Sequence, residues 1–138
     1  MDKLTRGATG KGPAERFTGD VHVDAIFSGT DPSRMTVAHV HFTPGARTNW
    51  HSHAVGQLLH GTDGVGLVVT RDQKTVTIRP GETVWIEPGD EHWHGACADN
   101  LMAHIASLES DGSGQDPTTW LEPVDEQEYQ RANQAVRD

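Results

Sequence analysis

The feature that most constrains the fold is a regular alternation of short apolar runs and turn-forming segments after Phe17. Runs such as MTVAHVHF, VGLVVT, TVTIR and TVWIE are rich in Val, Ile and Thr, and segments such as SGTDPS, RDQK, RPGE and PGDE separate them. Short β-type runs that recur about every ten residues are typical of an all-β sandwich or barrel. With 138 residues, the chain is predicted to form a single domain over residues 1–138.

The two ends of the chain depart from this pattern. Residues 1–12 are rich in Gly, Thr and Lys and carry little apolar surface, so we expect a mobile N-terminal arm. Residues 125–136, DEQEYQRANQAV, predict a short C-terminal helix. Asp125 suits its start, and Glu126 and Glu128 are favoured by the helix dipole.

Charge and hydropathy narrow the range of partners. The formal net charge is −9, and no Lys or Arg cluster is present to bind phosphate, which argues against nucleic acid and anionic membranes. Mean hydropathy is −0.59 and no run approaches a membrane span, so we expect no membrane association. The first residues lack the apolar segment of a secretion signal, and the cytoplasm is therefore predicted. Exposed edge strands favour a homodimer or higher homo-oligomer.

Two histidines one residue apart, His51 and His53, are the first chemical signal. In a strand their rings share one face, about 6.6 Å apart along the backbone, so one metal ion can reach both. Imidazole suits Mn, Fe, Co, Ni, Cu and Zn alike, and the pair leaves the metal open. Two surface histidines would give the same pattern.

The spacing of motif residues over a longer part of the chain gives a family resemblance. The chain contains two ordered strings of motif residues, namely Gly45, His51, His53, Gln57 and Gly64, then Gly81, Glu87, Gly89 and His92. These strings resemble the paired motifs of the cupin superfamily. The resemblance implies a double-stranded β-helix, or jelly-roll, barrel over about residues 35–108.

The resemblance also implies a metal centre. It assigns one divalent transition metal per chain to four ligands, His51, His53, Gln57 and His92. Gln57 stands where the family pattern usually has glutamate. Because an amide oxygen is uncharged, the bound ion would keep its full positive charge and remain a strong Lewis acid.

A closer resemblance points to a reaction. The stretches KGPAERFTG, PGARTNWHSH, EHWHGA and MAHIA are similar to those of bacterial manganese-dependent cupin hydroxynitrile lyases. That likeness implies Mn(II), with Fe(II), Ni(II), Co(II) or Zn(II) as alternatives, and a small aldehyde or cyanohydrin substrate. The same scaffold carries other reactions, so it does not define the substrate.

Three further polar residues are candidates for catalysis. His104 shares a strand face with Met102 and Ala106, and burial would keep its imidazole neutral, so we expect a general base or else a core histidine. His94 has the parity of His92 and is expected to support the site or to pack in the barrel wall. Thr48 could donate a hydrogen bond to the substrate oxygen or be an ordinary strand threonine.

Strand parity also predicts an apolar substrate pocket, since alternate residues face the same side of a sheet. Its expected residues are Ala38, Val40, Leu59, Met102, Ala106 and Leu108. The tryptophans, including Trp120, are expected in the core or in subunit contacts.

Three functions follow as hypotheses. The leading one is a metal-dependent lyase that reversibly cleaves cyanohydrins into an aldehyde and cyanide. The second is a metal-dependent decarboxylase or dioxygenase using the same site. The third is a small-molecule-binding protein without turnover, whose metal only organises the pocket.

Overall fold

A computed structural model describes residues 1–137. Within this range, strands account for most of the regular structure, as expected from the Val, Ile and Thr content of the runs. The strands are β1 (Gly10–Lys11), β2 (Phe17–Thr18), β3 (Val21–Ser28), β4 (Met35–Phe42), β5 (Arg47–Thr48), β6 (His51–His53), β7 (Gln57–Gly64), β8 (Gly66–Thr70), β9 (Thr75–Ile78), β10 (Thr83–Ile86), β11 (His92–Ala96), β12 (Met102–Glu109) and β13 (Thr118–Trp120). The helix is α1 (Glu126–Arg137).

The strands form two antiparallel sheets. The first has the order β1-β3-β4-β12-β7-β10. The second has the order β13-β6-β11-β5-β2, and β8 pairs with both β11 and β9. Neighbours such as β4 and β12 lie far apart in the chain, so the order is that of a jelly roll rather than a meander.

The main core lies between the sheets. Val40 and Leu59 from the first sheet pack in one buried cluster with Val68 and Ile78 from the second. Leu59 and Ile78 are fully buried. Side chains along the strands of this core alternate between the interior of the barrel and its outer face. At one level of the barrel, the interior positions are available to polar side chains.

Helix α1 covers the outer face of the second sheet. Asp125 Oδ1 accepts a hydrogen bond from the Glu128 backbone N–H at 2.8 Å, which caps the first turn. Tyr129 packs in a second buried cluster with Leu67 and Trp93. Its hydroxyl donates to the Ala96 carbonyl oxygen at 2.6 Å and so fastens the helix to β11.

The structure confirms the all-β fold and the short C-terminal helix. At the other end, Gly10 and Lys11 pair with Val23 and His22, while the mobility of residues 1–12 stays a prediction. Across the described residues, no helix is long and apolar enough to cross a membrane.

Candidate metal centre

Three buried imidazoles converge on the inner side of the second sheet. His51 and His53 lie on β6, and His92 on the neighbouring β11 is in register with His51. One ring nitrogen from each lies within 4.8 Å of the others. The spacing of two residues on β6 turns both rings to the same face, as the sequence predicts.

Backbone carbonyls orient two of these rings. His51 Nδ1 lies 2.8 Å from the Asn49 oxygen, and His92 Nδ1 lies 2.9 Å from the Asp90 oxygen. A carbonyl oxygen can only accept, so each Nδ1 carries the proton. The lone pair is therefore on Nε2, the ring atom left to bind a metal.

The third ring depends on a side chain from another part of the molecule. His53 Nδ1 lies 3.0 Å from Thr118 Oγ1 on β13. Its Nε2 is buried and has no hydrogen-bond partner, and the same is true of His92 Nε2. Buried polar atoms without a partner are costly and rare, which makes these two nitrogens candidate metal ligands.

Gln57 is the fourth candidate ligand. It begins β7, lies next to His53 and is 4% exposed, and its Oε1 is also buried without a partner. Three imidazole nitrogens and one amide oxygen fit the ligand preferences of a divalent transition metal. We call these four residues, His51, His53, Gln57 and His92, the ligand cluster.

Burial keeps the imidazoles in the form that binds metal. It is the main cause that lowers the pKa of His53 to about 4, and the neighbouring His92 lowers it further. The pKa of His51 is well below its ordinary value for the same two reasons. Because neutral imidazole is the metal-binding form, these histidines need not lose a proton before they bind a metal at neutral pH.

A second group of imidazoles lies beside the ligand cluster. His104 Nε2 and His94 Nδ1 are 2.9 Å apart, and both side chains are buried. We call them the histidine pair. The His94 ring centroid is 4.8 Å from that of His104 and 5.2 Å from that of His51, so His94 lies between His104 and the ligand cluster.

The outer nitrogens of the histidine pair, His94 Nε2 and His104 Nδ1, are buried without partners. Burial lowers the pKa of His104 to about 4 and that of His94 well below its ordinary value. Each neutral ring carries one proton, and one of the two protons occupies the bond between the rings. In either arrangement, one outer nitrogen is a base and the other a donor.

Thr48 connects the pair to the neighbouring strand. Its side chain is 2% exposed, and its Oγ1 accepts a hydrogen bond from the His94 backbone N–H at 3.2 Å. The hydroxyl proton is then free to donate elsewhere. This approach of β5 to β11 requires Gly95, because a Cβ there would lie 2.6 Å from the Arg47 Cα.

The predicted apolar residues fall into two places. Val40, Leu59 and Met102 are buried in the main core, and Ala38 and Ala106 pack against it. Leu108 instead lines a surface cavity with residues such as Leu58 and Trp85, which are partly exposed. The pocket as a whole stays a prediction.

The sequence pattern does not predict two contacts of the site. Thr118 is not among the predicted site residues, and Trp120, expected in the core or in a subunit contact, stacks on His51 with ring centroids 4.7 Å apart. The only sequence signal is that Thr118 and Trp120 share a strand face. Their partners lie more than sixty residues earlier in the chain, and patterns among neighbouring residues do not predict contacts over such a separation.

Comparisons with known proteins agree with this geometry. The family described as cupin domain matches residues 38–108. A protein named (R)-mandelonitrile lyase, from Granulicella tundricola, is 44% identical over 125 residues, which cover 90% of this chain and 93% of that relative.

Solved structures extend the likeness to the whole fold. A cupin-like protein from Thermotoga maritima has a TM-score of 0.84 and 38% identity, covering 96% of this chain and 97% of that one. A polyketide cyclase from Streptomyces resistomycificus has a TM-score of 0.66 and 17% identity, covering 94% and 91%. The second likeness concerns the fold alone.

Proposed function

This chain belongs to the cupin family, and we propose that it is a metal-dependent lyase that reversibly cleaves cyanohydrins into an aldehyde and cyanide. The observation that carries the proposal is the position of the histidine pair, a buried proton acceptor and donor, directly beside the ligand cluster. The relative named mandelonitrile lyase supports the choice of reaction.

The ligand cluster defines what it would hold. His51, His53, His92 and Gln57 would bind one divalent transition metal, for which we favour Mn(II), and this ion would supply a Lewis acid for the substrate oxygen. Gln57 brings no negative charge to the site, unlike a glutamate, so the four donors are all neutral. Because the donors are neutral, the bound ion would keep its full positive charge, which favours stabilising an anion. Oxidation of the ion is disfavoured, because no negative ligand would offset the added charge.

The histidine pair would move the proton. In cleavage, we assign His104 as the general base that receives the hydroxyl proton of the cyanohydrin, with His94, which lies between it and the ligand cluster, as the relay. The electron pair of the breaking carbon–carbon bond leaves with cyanide, which then receives a proton from the pair. In synthesis, the same steps run backwards.

Apolar side chains would select the rest of the substrate. Val40, Leu59 and Met102, with Ala38 and Ala106, are expected to enclose an aromatic or aliphatic substituent and to exclude water. A cavity of about 400 Å³ is lined in part by Ile86, the residue opposite Gln57, and we expect it to be the substrate entrance.

The direct test follows benzaldehyde release from racemic mandelonitrile. Protein loaded with Mn(II) is assayed without oxygen, beside His104→Ala and the surface control His60→Ala. We expect turnover by wild type and His60→Ala and a large loss in His104→Ala. No turnover with full metal would overturn the proposal, and oxygen consumption with Fe(II) would indicate a dioxygenase. Saturable binding alone would indicate a binding protein.

A second test concerns Thr48. Thr48→Val removes the hydroxyl donor and should lower kcat about 10²-fold, as for other donors to a developing oxyanion. It also leaves the His94 N–H unpaired, which costs about 1–3 kcal/mol of stability. Thr48→Ser keeps the hydroxyl and should restore most of the activity. If Thr48→Val and Thr48→Ser have the same kcat, the hydroxyl has no part in the reaction and Thr48 is a structural residue.

A further inference from the structure

The short strand β13 lies directly against two members of the ligand cluster. It pairs with β6 so that Thr118 is opposite His53 and Trp120 is opposite His51. Thr118 Oγ1 lies 3.0 Å from His53 Nδ1, and the Trp120 ring stacks on His51 with an interplanar angle of 29°. This strand lies outside residues 38–108, the part that matches the cupin family.

The three histidines differ in what orients them. Backbone carbonyl oxygens of Asn49 and Asp90 hold the His51 and His92 rings. The His53 ring is oriented by a side-chain hydroxyl instead. His53 is therefore the histidine of the cluster whose orienting hydrogen bond can be removed by substituting another residue.

We propose that Thr118 is a positioning residue of the metal centre. Its Oγ1 would accept a hydrogen bond from His53 Nδ1–H, which leaves Nε2 unprotonated as the ligand atom and holds the ring in place. The inference rests on the metal centre of the proposed function and not on its reaction.

Hydrogen bonds fix the position of β13 beside His53. The Thr118 backbone N–H donates to Asp116 Oδ1 at 2.9 Å, and the Ala54 N–H donates to the Pro117 oxygen at 2.8 Å. On the other side, the Gly89 N–H donates to the His53 carbonyl oxygen at 2.9 Å. His53 is thus fixed between β13 and the turn that leads to His92.

The test measures metal affinity without substrate. Thr118→Val removes the hydroxyl and keeps the shape of the side chain, and Thr118→Ser keeps the hydroxyl. Thr119→Val makes the same change at the next residue, which is exposed on the opposite face. Each full-length protein is titrated with Mn(II) and with Zn(II) against a competing chelator, and the unfolding of the metal-free form is recorded.

We expect Thr118→Val to bind both ions about 10–100-fold more weakly, as for other partners of ligating histidines. Thr118→Ser and Thr119→Val should bind like wild type. Wild-type affinity in Thr118→Val, an equal loss in Thr119→Val, or no rescue by serine would overturn the inference alone. If Thr118→Val fails to fold, Thr118→Ala takes its place with the same readings. A wild type that binds neither ion would overturn the metal centre as well.

Discussion

The three histidines of the ligand cluster and the two of the histidine pair are all buried, yet they are held in different ways. In the cluster, Nδ1 of His51 and Nδ1 of His92 donate hydrogen bonds to backbone carbonyls, so these rings cannot change tautomer without losing a hydrogen bond. In the pair, His94 and His104 are bonded to each other, and either ring can be the donor. Fixed rings suit the binding of an ion, whereas exchangeable rings suit the transfer of a proton.

Replacing one metal-binding side chain tests this comparison most strongly. His92→Ala should reduce metal content to background and cyanohydrin cleavage about 10⁴-fold or more, because several kcal/mol of charge stabilisation are lost at about 1.4 kcal/mol per tenfold. His60→Ala, whose ring bonds to Thr83 at the protein surface, should change neither quantity. Elemental analysis and kcat of the purified proteins provide the check. Stoichiometric metal in His92→Ala would contradict the ligand assignment.

The histidine pair should respond in the opposite way. His94→Ala and His104→Ala should each lower kcat about 10²–10³-fold, within the usual range of acid–base catalysis, while metal content stays at one ion per chain. Because the rings act as a unit, the double variant should lose little more than the worse single variant. A loss equal to the product of the two single effects would mean that the histidines act independently.

Charge in the ligand cluster gives a smaller effect. Gln57→Glu adds a negative charge beside the ion, so we expect roughly tenfold tighter metal binding and roughly tenfold lower kcat, since a unit charge at this range is worth about 1–4 kcal/mol. Gln115→Glu adds the same charge in an exposed loop and serves as the control. Faster cleavage by Gln57→Glu would contradict the role given to the neutral amide.

The smallest effect concerns stability against pH in the metal-free protein. Burial lowers the pKa of His104 from 6.5 to about 4, so the unfolded chain takes up this proton first as pH falls. Stability from this residue is complete above pH 6.5 and is lost toward pH 4 by up to about 1.4 kcal/mol per pH unit. His104→Asn removes the titration, and urea unfolding between these pH values should show a shallower slope. An unchanged slope would mean that His104 is protonated in the folded state.

Much of this architecture could be predicted from local patterns. The alternation of apolar and polar residues in LMAHIASL places His104 on the face of Met102, and both are buried. The helix predicted at residues 125–136 is observed at Glu126–Arg137, where Asp125 caps its start. These features depend on residues within one strand or one turn of each other, which is the range over which sequence pattern is informative.

The contacts between distant segments could not be predicted in this way. Nothing near Thr118 indicates that its hydroxyl meets His53, and parity alone does not reveal that His94 and His104 bond to each other. Leu108 has the parity of a pocket residue and lines a surface cavity near the end of β12. In each case the outcome depends on which strands become neighbours.

The sequence by itself determined the strand pattern and the residue types able to bind a metal, because each follows from chemistry and spacing along the chain. The tertiary structure decided which nitrogen of each imidazole is bonded and which is left free. The physical reason is that a ring's tautomer is set by its hydrogen-bond partner, and those partners are positioned by the pairing of β13, β6 and β11.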